Sequence, residues 1–289
     1  MNTPQKAILA ADIAALKTRY PDVFAGSRQT RVMTIGVVSA LVLGLVLGIV
    51  TLDVDWMRFL SGFGKLGEFV VRMLPPSTGT WSKFLIYLHA LAETVAIAFL
   101  GVLIAAILAF PFGLLAAKNI VPAWLFHFVT RRFLDTVRGV DELIWALIWV
   151  GVVGLGPFAG VLALICANFG VFGKLFSEAI EAADKKPIEG IISAGGNQFQ
   201  VITFGILPQV IPILAGQILY FFESNTRSAT IIGIVGAGGI GLHLAEQIRV
   251  LEYQHVSALI LMILITVAII DAISSRLRFA IIGRRDILA

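Results

Sequence analysis

Charge is scarce in this chain: Asp, Glu, Lys and Arg make up 14% of its 289 residues, against about 25% in an ordinary soluble domain. With 58% hydrophobic residues and a mean hydropathy of +0.93, the scarcity excludes a water-soluble globule and points to an integral membrane protein. Cysteine is almost absent. The one copy, Cys166, lies in an apolar run, so an intrachain disulfide and a cysteine-rich metal centre are both excluded and packing is its expected role. The four histidines, His89, His127, His243 and His255, lack metal-ligand spacing, and no serine, histidine and acid set converges into a catalytic site. A phosphate-binding loop of the G-x-x-x-x-G-K-[ST] type is missing from the chain. The net charge of +4 comes without a basic stripe interleaved with aromatics, which argues against a nucleic-acid partner.

What is abundant is apolar sequence in long runs. A bilayer core of roughly 30 Å needs about 20 mostly apolar residues per helical crossing. Six spans are read on that basis, at 32–52, 88–110, 140–155, 157–176, 201–222 and 256–275, and the fold class is all-α integral membrane. Sixteen of the 22 Lys and Arg fall before 32, at 118–138, at 174–186 and from 276 onward. Cytoplasmic loops hold the basic excess, so these segments and both termini are expected in the cytoplasm. Arg58, Lys65, Arg72, Lys83, Arg227 and Arg249 are left on the other side. The first run starts too late and runs too long for a cleaved signal peptide, so it reads as a retained helix.

Residues 1–31 form the first unit of the chain. Thr3-Pro4 opens an amphipathic pattern through Ile8, Leu9, Ile13 and Leu16, expected to lie along the inner membrane surface. Residues 32–87 hold the first span and a second amphipathic segment. There Trp56, Phe59, Leu60, Phe63 and Leu66 recur at helical steps among charges and stop before Pro75-Pro76, which predicts an interfacial helix on the outer face. Residues 88–289 form the core, with a polar loop at 178–208.

That loop carries the most informative pattern. Gly195 follows Glu189 by six residues, and Leu207-Pro208 ends the segment. The Gly195-Gly196 pair can break one short helix and start another at the angle needed to dock into a partner. The spacing resembles the cytoplasmic coupling signature of ABC importer permeases: Glu-Ala-Ala, three residues, Gly, nine residues, Ile, one residue, Leu-Pro. Glu189, Gly195, Leu207 and Pro208 match it, whereas Gly190-Ile191 replaces the alanines and Gly205 the isoleucine. The literal Glu181-Ala182-Ala183 upstream fails the spacing, since Pro187 stands where the glycine should.

Four further stretches, 154–160, 173–178, 222–230 and 234–241, look like those of phosphonate importer permeases, and the likeness extends over roughly residues 85–280. The resemblance implies a type I importer permease of about six transmembrane helices in a bacterial inner membrane. It implies a second permease copy as a homodimer partner, two ATPase subunits docked on Glu189, Gly195, Gly196, Leu207 and Pro208, and an extracytoplasmic phosphonate-binding protein. ATP and Mg would sit on the ATPase, with no cofactor on this chain. Alternating access would carry phosphonate, or the related phosphite or phosphate, to the cytoplasm. Methionine or another small solute is an alternative cargo, and a membrane-embedded enzyme acting on lipid or phosphate esters an alternative function.

Charges inside spans are costly and invite functional readings. Glu93 falls in the second span. Asp141 and Glu142 open the third and are read as stabilising a cytoplasmic mouth or dimer seam. Glu223 and Arg227 have the spacing of an i,i+4 ion pair; Arg227 with Asn225, Ser228 and Thr230 is also the candidate anion path, because guanidinium and hydroxyl donors match oxyanion acceptors. Gly236-Ala237-Gly238-Gly239-Ile240-Gly241 fits the dinucleotide fingerprint by letter, but no strand or following acid supports that use. A close backbone turn is expected there.

Overall fold

The computed structural model describes residues 28–52, 55–121 and 123–282. The amphipathic tail expected at 1–31 lies almost entirely outside the described residues. The chain divides into two compact units, Met1–Glu68 and Phe69–Ala289. In the first, α1 (Arg28–Thr51) is an apolar helix whose described side chains are nearly all exposed, as lipid contact requires. Helix α2 (Trp56–Arg72) crosses the unit boundary. It begins at Asp55, whose Oδ1 accepts from the N–H groups of Met57 at 2.9 Å and Arg58 at 3.2 Å, the geometry of an N-cap. Trp56, Phe59 and Phe63 stack edge to face along it.

The second unit holds the remaining helices: α3 (Trp81–Ala116), α4 (Trp124–Arg138), α5 (Glu142–Val153), α6 (Pro157–Glu181), α7 (Lys185–Ser193), α8 (Gln198–Ile234), α9 (Ile240–Arg249) and α10 (Tyr253–Ile282). Among the described residues five helices are long and apolar enough to cross a membrane: α1 from Val32, α3, α6, α8 and α10. The crossings run past most of the expected ends; α3 at 36 residues is about 54 Å long.

Small residues set the packing. Ala98, Gly101, Ala105, Ala109 and Gly113 make a buried stripe on α3, and α6 lies against it in the same direction. A Cβ on Gly101 would come within 2.6 Å of the Leu164 Cβ, and one on Gly113 within 2.8 Å of the Phe176 Cβ. Such close approach is what small residues permit between helices in lipid. Phe172, Phe176, Ile180, Ile206, Val210 and Leu214 fill the core between α3, α6 and α8.

The third expected crossing departs from its sequence reading. Helix α5 has 12 residues, about 18 Å, too short to cross alone. The chain returns along α6 in two pieces instead. Arg131 of α4 reaches Glu181 at one end of α6 (2.9 Å). Leu134 and Arg138 sit against Gly170 midway, and Trp149 of α5 donates its indole N–H to Cys166 Sγ (3.4 Å). Between the pieces Gly139 ends α4, and Asp141 caps α5 by accepting from the Leu143 N–H at 2.9 Å. Arg138, counted above as a loop charge, therefore lies roughly 20 Å along α6 from its first residue.

Candidate functional site

The polar loop forms a tied helix-turn-helix. Asp184 caps α7 through the Lys186 N–H (3.1 Å). The helix ends in a Schellman pair, Gly196 N–H to Ile191 O and Gly195 N–H to Ile192 O, both 2.9 Å, with Gly195 at φ +81°, the left-handed conformation glycine adopts without cost. Asn197 then starts α8 with a reciprocal capping box to Gln200. The next turns, Val201–Ile206, are π-helical, so the hydrogen-bond ladder is already opened where Pro208 enters with no N–H to give.

Two contacts bind α7 to α8. Gln209 accepts from the Asp184 N–H (3.0 Å) and donates to the Asp184 and Gly205 carbonyls. Gly205, which departs from the signature, is where α7 comes closest: a Cβ there would meet Ile191 Cδ1 at 3.2 Å and Ile188 Cγ1 at 3.5 Å. Glu189 is exposed, and so are Ile192, Phe199 and Phe204, at 57%, 75% and 68%. The unit thus presents an apolar surface with its own interior satisfied.

Farther along α8 a polar cavity of about 320 Å³ opens between the α4–α5 break, the middle of α6 and α8. Arg138, Asp141, Glu142, Asn168, Ser224, Asn225 and Ser228 contribute its polar lining. Asn168 and Asn225 form a reciprocal amide pair, 3.0 Å in each direction. Each Nδ2 also donates to its own helix, to Leu164 O (2.8 Å) and Phe221 O (2.7 Å). Both N–H donors of each amide are therefore spent, and the pair bolts α6 to α8.

Of the residues expected on an anion path, Asn225 and Ser228 line this cavity; Glu223, Arg227 and Thr230 do not. Glu223 is buried and accepts from Arg278 of α10 (2.9 Å), with Arg227 3.6 Å away. Arg227 is half exposed. Thr230 packs where Gly241 of α9 crosses. Arg138, Asn168 and Ser224 join the cavity, as do Asp141 and Glu142, which the sequence already marked as charges opening the third span; for Arg138 the sequence signal is the Gly139 to Asp141 break.

This placement carries a prediction. Arg227→Ala removes an exposed ion-pair partner, worth about 0–1 kcal/mol, and ATP-dependent uptake should stay within about twofold of wild type. Glu223→Ala takes from the partly buried Arg278 its 2.9 Å partner and leaves it the Tyr220 ring, a loss of about 1.5–3 kcal/mol for a charge-assisted hydrogen bond, and should lower the yield of monodisperse protein. Loss of uptake by well-assembled Arg227→Ala would return that side chain to the path.

The glycine-rich segment forms a tight turn, with Gly236, Gly238 and Gly239 at φ +98°, +83° and +71°. Thr94 and Glu93 of α3 serve the start of α9: Ile240 N–H donates to Thr94 Oγ1 (2.8 Å) and Gly239 N–H to Glu93 Oε1 (3.2 Å). Glu93 thus has a capping role.

A bundle of membrane-crossing helices with a tied, apolar-faced hairpin at one end and a polar cavity along its length has the build of a transport permease. Residues 109–285 match the family described as binding-protein-dependent transport system inner membrane component, and the chain belongs to it: a multi-pass inner-membrane component of a transport system. It is 38% identical over 224 residues to the phosphite transport system permease protein PtxC of Stutzerimonas stutzeri, covering 78% of this chain and 80% of that one. To the phosphate-import permease protein PhnE of Mycolicibacterium smegmatis it is 36% identical over 251 residues, 86% of this chain and 47% of the relative. In fold it resembles the inward-facing MetNI methionine ABC transporter, with a TM-score of 0.62 at 18% identity over 70% of this chain and 99% of that one.

Proposed function

We propose that this chain is the membrane-crossing subunit of an ATP-driven importer for phosphonate or a related phosphorus oxyanion, phosphite or phosphate. It pairs with a second copy, takes ligand from an extracytoplasmic binding protein and releases it to the cytoplasm by alternating access. ATP and Mg belong to two ATPase subunits docked on the hairpin, and both chain termini lie on that cytoplasmic side.

The observation that carries this reading is the continuity of α8. The helix held by Gln209, Ile188 and Ile191 at the exposed hairpin is the one that bears Ser224, Asn225 and Ser228 in the cavity. A push on α7 is delivered to the cavity wall through one long helix and not through a flexible loop. The cargo is supported by the motif resemblance and by the names of the two relatives.

The test is ATP-dependent uptake into proteoliposomes holding this chain with its ATPase and binding protein. Import of phosphonate, phosphite or phosphate is expected, with competition ranking them. Uptake of none of the three would overturn the cargo, and no ATP-dependent uptake of any solute would overturn the permease role.

A further inference from the structure

The literal Glu181-Ala182-Ala183, which fails the spacing of the coupling signature, still has a place in the fold. Glu181 ends α6, and its Oε1 accepts the backbone N–H of Lys118 at 2.7 Å and meets Arg131 of α4 at 2.9 Å. Beside it Asn119 donates its side-chain amide to Ile180 O at 2.8 Å. The next residue of the same turn, Ile120, accepts the side-chain amide of Gln198, the first residue of α8, also at 2.8 Å. The Ile120 side chain is buried in one apolar core with Ile180 of α6 and Ile206 of α8. Arg131 closes the arrangement by donating its Nε to Ala116 O, at the end of α3, at 3.3 Å.

The coupling hairpin leaves the bundle at Glu181 and rejoins it at Gln198. Both of its feet are therefore fastened to three consecutive residues, 118–120, that belong to neither foot. A hairpin joined to the bundle by chain alone would tilt about its feet when pushed, and α8 would not have to follow. With both feet held on one turn, and that turn anchored in the core by Ile120, a push on α7 has to rotate the start of α8. The same turn carries the end of α3, and through Glu181 and Arg131 it holds α4, the helix that brings Arg138 to the cavity.

We infer that residues 118–120 are the seat on which the coupling hairpin turns, and that Asn119 and Gln198 are positioning residues for coupling. They act through the hairpin and not on the ligand, and they set how much of its movement reaches the cavity. The inference rests on the hairpin being the dock of an ATPase.

The experiment measures ATP hydrolysed per molecule imported, in proteoliposomes holding the full chain, its ATPase and its binding protein, with phosphonate, phosphite and phosphate as substrates. Gln198→Glu keeps the shape but has no donor for Ile120 O, and an acid suits the first turn of a helix. Gln198→Lys keeps a donor and places the less suitable charge there. The two roles of Gln198 thus predict opposite orders. A seat makes Glu the worse variant; a residue that merely starts α8 makes Lys the worse. On protein of matched assembly, Gln198→Glu should raise the ATP spent per molecule imported by about two- to tenfold, the worth of one net hydrogen bond. Gln198→Lys should stay closer to wild type. Asn119→Asp, which loses the donor to Ile180 O, should behave as Gln198→Glu does.

Wild-type coupling in both Gln198→Glu and Asn119→Asp would overturn the seat, and so would a greater loss in Gln198→Lys than in Gln198→Glu; either result leaves the permease reading intact. The ratio can be read with any solute the wild type imports, so a different cargo does not affect it. A wild type that imports no solute with ATP would overturn the permease reading and the seat with it.

Discussion

Gly195→Pro should abolish ATP-dependent import while the subunit still folds, assembles and lets its ATPase turn over. Gly195 holds φ at +81°, and proline is locked near −65°. Its N–H closes the turn on Ile192 O at 2.9 Å, and proline has none. The cost at the turn is about 3 kcal/mol or more, enough to deny α7 its angle to α8. The damage should stay local, because a Cβ at Gly195 would meet nothing within 4 Å. Import should fall at least about tenfold, the rate equivalent of about 1.4 kcal/mol. Gly195→Asn is the informative companion, since asparagine tolerates the left-handed region and should import nearly as well as wild type. Import and ATP hydrolysis measured in the same proteoliposomes decide the matter. Wild-type import by Gly195→Pro would sink the rigid-relay account.

The hairpin was legible because its device is local. A glycine at the C′ position and an asparagine cap two residues later write their backbone geometry into adjacent letters. The long crossings were legible for a similar reason, since about 20 apolar residues in a row have few other uses. Even Gly205, which replaces the isoleucine of the signature, has its reason in the closeness of Ile188 and Ile191. That reason needs the fold to be seen.

The cavity was not legible, and the physical reason is depth. Counting basic residues sorts charges into loops, and Arg138 beside Gly139 reads as a loop end. Only the docking of Leu134 and Arg138 against Gly170 shows that α4 runs alongside α6 and brings its last residue to the middle of that helix. Arg227 is the converse case, a span-end charge that lies outside the cavity lining. Its spacing from Glu223 was right for an ion pair, and the pair exists at 3.6 Å. The turn of α8 that carries Ser224, Asn225 and Ser228, however, presents a different face from the one carrying Glu223 and Arg227. A sequence gives helical phase only relative to itself, and which face meets the cavity is fixed by α6, α5 and α10.

The depth of the break gives the second large effect, at Gly170. A Cβ there would lie 2.7 Å from both the Arg138 nitrogen and the Leu134 oxygen, and 3.1 Å from the Arg138 Cβ. Two of these atoms are backbone, so relief means moving the end of α4. Alanine gains about 1 kcal/mol of helix propensity over glycine, while overpacking of this kind costs roughly 1–3 kcal/mol. Gly170→Ala should therefore lower the midpoint of thermal unfolding by a few degrees at about 2–4 °C per kcal/mol, and Gly170→Val should not assemble. Gly173→Ala is the contrast, because its Cβ would press on the Leu134 side chain, 2.5 Å from Cδ2, which can turn aside at a smaller cost. The functional consequence separates packing from position. If Arg138 must stand where the break puts it, assembled Gly170→Ala should import more slowly than its modest stability loss accounts for, and Gly173→Ala should not. Equal import by the two variants, measured on protein of matched assembly, would mean that the cavity tolerates a displaced α4 and that the place of Arg138 matters less than its charge.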